Sequence, residues 1–297
     1  MEIRFSQLVV KFLTWAAQAR HKKTVDVYRH YLRRFMEQIG DPPAASVTPA
    51  DVTAWAKTWH QAQAVKRLYQ WAVEDARLLE RNPVSRVKLP PMGMRRRILT
   101  RDERQSLLAS SSADLRRFLV GLRETMARPG ELRRATWNDV MGDDPTAQLS
   151  DILLQGKACI VLWEYKSRER RANADVPRVI LLSPVACRLL LWLLRSRPRL
   201  DSHIFLTCRA RAWTPNALRC RFRRLRRKLS IERDKRGETI VPYTYRHTSA
   251  TEAAAQGIRD RVLADVLGHV KPETTQRYLH LQTDHLRKAM EKLWKPR

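Results

Sequence analysis

The chain has 297 residues, 43% of them hydrophobic, and carries a net charge of +28 at pH 7. This length has room for two domains. So large a positive charge opposes compaction by self-repulsion and predicts a polyanionic partner, with nucleic acid as the first candidate. The most apolar run, residues 185–194, contains Arg188 and is well short of the roughly 20 residues of a membrane span, so no membrane partner is expected.

The thiols and imidazoles show no sign of a disulfide framework or a metal site. The four cysteines form no close pair, and the eight histidines lack metal-ligand spacing. The segment beginning at Met1 has no signal-peptide core. We therefore predict a cytoplasmic protein without a disulfide framework or a zinc site.

Residues 1 to about 80 show helical periodicity only. A third helix is predicted to begin at Thr48-Pro49, with threonine as the cap and proline in the first helical position. A fourth is predicted over about residues 61–79. We interpret the apolar stripes as core rather than as base-stacking surfaces: Leu8, Phe12, Trp15 and Ala19; Val25, Tyr28, Leu32, Phe35 and Ile39; Val65, Leu68, Tyr69 and Ala72.

Residues 81–97 are the best candidate for a linker, because they hold three prolines and a glycine. The linker separates a region 1–94 from a region 98–297. It ends in three consecutive basic residues that could follow a phosphate backbone, with a solvated tether as the alternative: Arg95, Arg96 and Arg97.

The second region opens with a capping box at Thr100, and a further helix is predicted over about residues 113–125. Arg128 follows, directly before Pro129, which fixes the backbone and can open a short helix. Glu131 lies close enough along the chain to bind the Arg128 guanidinium. Taken alone, Arg128 would be one more surface arginine.

A β-hairpin is predicted from two β-rich runs, residues 158–165 and 176–182. Lys166 lies near the tip of this hairpin. A lysine there could serve as a mobile proton donor, or it could be a solvated turn residue.

One helix is predicted after Ser183-Pro184 and another after Thr214-Pro215. The second has an apolar stripe formed by Leu218, Phe222, Leu225 and Leu229. Its other faces are strongly basic and suit a phosphate backbone or a groove. The residues predicted to bind DNA there are Arg219, Arg223, Arg226, Arg227 and Lys228, on faces that also carry Arg221 and Arg224.

The stretch from Tyr243 to Tyr278 contains most of the candidate chemistry. Arg246 is expected to open a helix that stops at Gly257, and His269 to follow a second helix closed by Gly268. A guanidinium binds two phosphate oxygens at once. An imidazole donates to a third oxygen or moves a proton, and the phenol of Tyr278 can form a covalent intermediate.

In chain order, Arg128, Lys166, Arg246, His269 and Tyr278 resemble the active-site residues of the tyrosine recombinase, or phage integrase, family. The resemblance covers nearly the whole chain. It implies a mainly α fold, with an all-helical, SAM-like core-binding domain over 1–94. A mixed α+β catalytic domain with a small antiparallel sheet is implied over 98–297.

The resemblance also implies the reaction. Tyr278 attacks a DNA phosphate to give a 3′-phosphotyrosine, while Arg128, Arg246 and His269 hold that phosphate and Lys166 protonates the leaving 5′-oxygen. Neither ATP nor metal is needed, and no cofactor is expected. Tyr243 stands where the family usually has His or Lys, and a phosphate contact is expected of it rather than proton transfer. Met126 stands where the family often has Gly, which we expect to be a local packing change.

The partners implied are double-stranded DNA and further copies of the chain. A C-terminal helix over residues 284–294 is expected to dock on a neighbouring subunit in a homotetramer on DNA, with packing on its own domain as the alternative. No additional arm-binding module is expected, as in Xer-like and Cre-like recombinases or the integrases of small mobile elements. The alternative functions are a type IB topoisomerase, a telomere resolvase and a non-cleaving DNA-binding regulator.

Overall fold

The computed structural model describes residues 2–93, 95–144, 146–165, 176–196 and 202–269. Within these ranges the chain is mainly helical and contains a small three-stranded antiparallel sheet, which confirms the predicted fold class. The chain divides into two compact units, Met1–Met94 and Arg95–Arg297.

The first unit consists of helices packed around an aromatic core. Phe5, Phe12 and Phe35 have no solvent exposure, and the rings of Phe12 and Trp71 lie 5.4 Å apart. Burying a side chain of this size contributes about 1.5–3 kcal/mol. The helices are α1 (Phe5–Ala19), α2 (Lys22–Ile39), α3 (Pro49–Trp55) and α4 (Trp59–Glu74).

Two predictions in this unit are wrong in detail. Ala19 is exposed, and Ala16 occupies the buried position one turn after Phe12. Helix α4 ends at Glu74 rather than near residue 79. The chain turns there because Arg77 adopts a left-handed conformation with φ of 51° and the Leu78 amide donates back to the Ala72 carbonyl at 2.7 Å.

The second unit contains most of the predicted helices, and Thr100 and Thr214 cap two of them as expected. Helix α11 begins at Pro242, so Arg246 lies in its second turn and does not open it. The short helix α8 was not predicted. The helices are α5 (Arg101–Ser110), α6 (Ala113–Thr125), α7 (Pro129–Arg134), α8 (Leu149–Gln155), α9 (Pro184–Ser196), α10 (Pro215–Lys228), α11 (Pro242–Ala255) and α12 (Asp260–Leu267).

The sheet contains the predicted hairpin. Strands β2 (Cys159–Leu162) and β3 (Arg178–Leu181) pair antiparallel, with Leu162 opposite Arg178, and are shorter than predicted. The Tyr165 hydroxyl donates to the Val176 carbonyl at 2.8 Å and ties the hairpin together beyond the strands. The strand β1 (Val140–Met141), which was not predicted, pairs with the other side of β2.

The core of the second unit positions the helices that carry the candidate residues. Phe118 of α6, Phe222 of α10 and Tyr245 of α11 are buried in one cluster. Burial raises the pKa of Tyr245 far above its ordinary value. Tyr245 is therefore a core residue, and its burial anchors the helix that carries Arg246.

No helix within the described ranges combines the length and the apolar character needed to cross a membrane.

Candidate active site

The candidate site is built around the last turn of α12, which we call the α12 turn (residues 265–268). Gly268 ends the helix with φ of 63°, in the left-handed region that glycine enters without steric cost. The His269 amide then donates to the Ala264 carbonyl at 2.9 Å. A helix C-terminus leaves its last carbonyls without helical partners, and these attract cations.

Arg128 reaches the α12 turn from the start of α7. Its guanidinium donates to the Gly268 carbonyl at 3.2 Å and to the Glu131 carboxylate at 2.6 Å, and its amide donates to the same carboxylate at 2.9 Å. Pro129 fixes the backbone here, as the sequence predicted. The Arg128 side chain remains 17% exposed, so part of it faces solvent.

Arg246 reaches the α12 turn from α11. Its guanidinium donates to the Met126 carbonyl at 2.6 Å and to the Leu267 carbonyl at 2.5 Å, and the residue is completely buried. Met126 adopts a left-handed conformation with φ of 49°. The residue at the position where the resemblance expects Gly is therefore in a conformation that glycine favours, and its carbonyl contributes to the site.

His269 lies directly after the α12 turn. Its Nε2 is 3.3 Å from a terminal nitrogen of Arg246. The structure thus brings together Arg128, Arg246 and His269, three of the predicted site residues, although they are far apart along the chain.

Tyr243 lies in the first turn of α11, one turn before Arg246. Its ring packs edge-on against that of His247, with the ring centroids 4.9 Å apart. Because both rings sit on the same helix, this contact fixes the direction of the Tyr243 side chain.

The electrostatic balance of the site depends on Glu131, whose side chain is 2% exposed. Burial by itself raises the pKa of this carboxyl. The charge of Arg128, the bond from its amide and the charge of Arg178 together outweigh burial and hold the pKa below its ordinary value. Glu131 is therefore an anion that partly compensates the arginines around it.

Arg178 is a residue of the site that the sequence analysis missed. It lies on β3, is 2% exposed, and donates to the Val266 carbonyl at 2.6 Å. The alternation of the strand could have revealed it, because side chains two residues apart point to the same face and Arg178 shares the buried face with Ile180. An arginine on the buried face of an apolar strand needs polar partners, and here the α12 turn provides them.

The family model described as "Phage integrase family" matches residues 97–285, about two thirds of the chain. The chain belongs to the phage integrase family of tyrosine recombinases. Membership of this family identifies the chain as a site-specific recombinase.

Known members of this family resemble the chain over most of its length. A protein named tyrosine recombinase XerC 2, from Ralstonia nicotianae, is 27% identical over 93% of this chain and 75% of its own length. The Tn1549 transposon integrase in complex with transposon right end DNA has a TM-score of 0.73 at 19% identity, covering 98% of this chain and 99% of its own. A lambda integrase tetramer bound to a Holliday junction has a TM-score of 0.69 at 16% identity, covering 91% of this chain and 78% of its own.

Two candidate residues of this recombinase, Lys166 and Tyr278, lie outside the described residues, as does the predicted C-terminal helix over 284–294. Their roles stay predictions. Within the described part of the chain, no three histidine, cysteine or acidic side chains are grouped as they would be around a metal ion.

The basic face of α10 has the arrangement that the sequence predicted. Leu218, Phe222 and Leu225 are buried against the core, whereas Leu229 is half-buried. Among the predicted DNA-binding residues of this helix, Arg226 is half-buried and the others are exposed: Arg219, Arg223, Arg227 and Lys228.

Arg221 departs from this basic face. It lies 2.5 Å from the Asp114 carboxylate and 5.2 Å from the centroid of the Trp213 ring. Asp114 is almost fully buried, and its pKa is lowered, because bonds from Ser112 and two backbone amides together with Arg221 outweigh the effect of burial. Arg221 therefore fastens α10 to α6.

The basic end of the linker is held by one carboxylate. Glu238 accepts from the amides of Arg96 and Arg97 at 2.9 and 2.7 Å. Arg95 and Arg96 are exposed, whereas the Arg97 side chain is paired with Glu103. The predicted DNA contact of Arg97 thus competes with an ion pair. The exposed Arg95 donates to the Thr239 carbonyl at 3.5 Å, and the exposed Arg96 lies on backbone that Glu238 holds.

Proposed function

We propose that this recombinase cuts and rejoins duplex DNA at a specific sequence through a 3′-phosphotyrosine intermediate. The observation that carries the proposal is the meeting of Arg128, Arg246 and His269 at the α12 turn. Two guanidinium groups and an imidazole suit a phosphate that gains charge in the transition state. Family membership supports the same chemistry.

In the first step, the Tyr278 oxygen attacks the scissile phosphorus as the phenol loses its proton. The bond from phosphorus to the 5′-oxygen breaks, and Lys166 donates a proton to that oxygen to give a free 5′-hydroxyl. In the second step, a 5′-hydroxyl from another strand attacks the phosphotyrosine and releases Tyr278. The phosphodiester energy is conserved in the intermediate, so the reaction requires neither ATP nor metal.

The two arginines act on the non-bridging oxygens. Arg128 is the more accessible, whereas Arg246 is completely buried and its terminal nitrogens are bonded to backbone carbonyls. His269 supports the same phosphate.

Tyr243 contributes a phosphate contact in this scheme. A phenol donates a hydrogen bond at neutral pH but accepts a proton poorly. Tyr243 lies on the same helix as Arg246, so the two side chains can approach one phosphate from one side.

The partner in this proposal is duplex DNA, and the assembly is a homotetramer. The exposed arginines of α10 and of the linker end bind DNA phosphates, and the helical first unit acts as the core-binding domain. The predicted helix at residues 284–294 docks on a neighbouring subunit. The lambda integrase tetramer on a Holliday junction has a comparable fold and supports this arrangement.

The decisive experiment captures the intermediate. A target duplex is selected from a random pool by binding and is then nicked just downstream of the scissile phosphate, so that the short product diffuses away and the adduct accumulates. We expect a covalent protein–DNA band with the wild type and none with Tyr278→Phe, which lacks one hydroxyl and still binds. Peptide mapping is expected to place the nucleotide on Tyr278.

The other outcomes separate the alternatives. Tight binding without any adduct would identify a non-cleaving regulator. An adduct that persists in Tyr278→Phe would overturn the assignment of the nucleophile. Relaxation of a supercoiled plasmid that holds one site, without strand exchange between two sites, would indicate topoisomerase activity, and covalently closed hairpin ends would indicate a telomere resolvase.

A further inference from the structure

Arg178 carries a buried charge to which the proposed reaction assigns no role. It lies on β3, opposite Leu162 of β2, so it belongs to the hairpin that leads to Lys166. Burying a guanidinium is costly unless its donors are satisfied. A methionine would fill a comparable volume without that cost, so the charge itself calls for an explanation.

The contacts of Arg178 show what its charge does. Its guanidinium donates to the Val266 carbonyl at 2.6 Å and to the Asp265 carbonyl at 3.4 Å. Leu267 and Gly268 present the next two carbonyls, which accept from Arg246 and Arg128. All four carbonyls of the α12 turn therefore bind one of three arginines, and Arg178 holds the first two.

The packing between Arg178 and the α12 turn is close. A β-carbon on Gly268 would lie 2.7 Å from Nε of Arg178 and 2.8 Å from its Cδ. Such distances are shorter than van der Waals contact, so a side chain at residue 268 would displace Arg178 from the turn. Arg178 also contributes to the field that keeps Glu131 ionised, and Glu131 in turn binds Arg128.

We propose that Arg178 is a positioning residue of the recombination reaction. It binds the α12 turn from the sheet side and thereby fixes His269 and the guanidinium groups of Arg128 and Arg246 around the scissile phosphate. Arg178 itself touches neither the DNA nor the reacting atoms. This inference rests on the proposed function and adds to it a residue that holds the phosphate-binding groups in position.

The test compares two substrates that differ at the leaving atom. One is the nicked target duplex, and the other carries sulfur in place of the bridging 5′-oxygen. A thiol is far more acidic than an alcohol, so the sulfur departs without needing a proton, and the contribution of Lys166 is bypassed. The contribution of the arginines and His269 is needed for both substrates.

Single-turnover cleavage is measured for the wild type, Arg178→Met and Arg178→Lys, with DNA affinity and melting temperature measured alongside. All rates are taken well below the melting temperature of every variant. The matched control is Arg116→Met. Arg116 likewise donates to carbonyls at a helix end, those of Leu108 and Ala109 in α5, but it does not contact the α12 turn.

We expect Arg178→Met to lose about 100-fold in cleavage rate on both substrates, the cost of misplacing catalytic groups by about 1 Å. Arg178→Lys keeps the charge but lacks the planar fork, and is expected to lose about 10-fold. DNA affinity is expected to change by less than about 3-fold, because other phosphate contacts dominate binding. Arg116→Met is expected to cleave both substrates at the wild-type rate.

Two results would overturn the proposal. A loss on the oxygen substrate that the sulfur substrate restores would mean that Arg178 acts through proton delivery by Lys166. Wild-type rates in folded Arg178→Met would mean that the residue serves stability alone. If Arg178→Met does not fold, Gly268→Ala disturbs the same contact from the other side, and a wild-type rate in that variant would also refute the proposal.

The same measurements separate this inference from the proposed function. If the wild type cleaves neither substrate, the proposed function itself is refuted. If the wild type cleaves both and Arg178→Met matches it, only the role of Arg178 is refuted.

Discussion

The arginines at the α12 turn and those on the outer face of α10 are the same residue type in opposite environments. Arg178 and Arg246 are 2% and 0% exposed, and their guanidinium groups bind backbone carbonyls. On α10, Arg223 and Arg227 are exposed. Buried guanidinium groups with fixed partners define positions to a fraction of an ångström, whereas exposed ones supply a field that salt screens.

This difference suggests a division of labour within one basic chain. In the proposed function, the exposed arginines set how tightly and how salt-dependently DNA binds. In the same proposal, the buried arginines set whether the bound phosphate reacts. The charge of +28 alone does not distinguish the two groups, because it counts every arginine equally.

The largest expected effect comes from removing the charge of Glu131, the buried carboxylate beside the arginines of the α12 turn. Glu131→Gln leaves Arg128 and Arg178 without their carboxylate, and we expect the free energy of unfolding at pH 7 to fall by about 3–5 kcal/mol. Chemical denaturation measures this loss. The conservative Glu37→Gln in the exposed pair with Arg33 is the control, because exposed pairs contribute only about 0–1 kcal/mol.

The stability difference between the wild type and Glu131→Gln is also expected to depend on pH. The pKa of Glu131 is lower in the folded chain than its ordinary value. Such a carboxyl stabilises the fold above the unfolded-state pKa, near 4.3, and the contribution is lost as pH falls through the folded-state pKa. The stability gap between wild type and Glu131→Gln is therefore expected to narrow below about pH 4. A gap that stays constant to low pH would contradict the proposed ion pair.

The next effect concerns the chemical step. Arg128→Lys and Arg246→Lys are each expected to lower the cleavage rate by about 100- to 1000-fold while sparing most DNA affinity, because each donor stabilises the transition state strongly and one phosphate contact adds little to binding. Lysine is preferred to alanine here because Arg246 is completely buried. Adduct formation and gel shift are measured on the same duplex, and near-normal cleavage by either variant would place the site elsewhere.

A smaller effect is expected from the exposed face of α10. In the double variant Arg223→Gln, Arg227→Gln, the plot of log affinity against log salt should become shallower by about 1.8, or 0.9 for each phosphate that the helix no longer neutralises. The control on the same helix is Arg221→Gln, whose side chain pairs with Asp114. This control should lower the melting temperature and leave the salt slope unchanged. Equal slopes in the wild type and the double variant would remove α10 from the DNA interface.

The smallest effect is expected at Tyr243. Tyr243→His restores the residue type usual in the family, and we expect cleavage to stay within about 10-fold of the wild type or to rise, because loss of a true general base would cost 100-fold or more. Single-turnover cleavage measures the change. Complete loss of cleavage would assign Tyr243 a geometric role that histidine does not reproduce.

Local sequence alone determined where many helices begin and end. Thr48, Thr100 and Thr214 cap helices as predicted, and Gly40 and Gly268 end them with positive φ. These features depend on residues within one helical turn, so a few consecutive residues are enough to predict them. The apolar stripe of α10 was equally clear, because its period reports burial directly.

Only the tertiary structure decided which charged residues are buried and what they bind. Arg178 and Arg221 read as ordinary basic residues in the sequence, yet one binds the α12 turn and the other binds Asp114. The left-handed conformation of Met126 was likewise not predictable from local sequence, because its carbonyl accepts from Arg246, which is distant along the chain. The physical reason is that a guanidinium is stable in the interior only when distant parts of the chain supply its acceptors, and no local pattern records those partners.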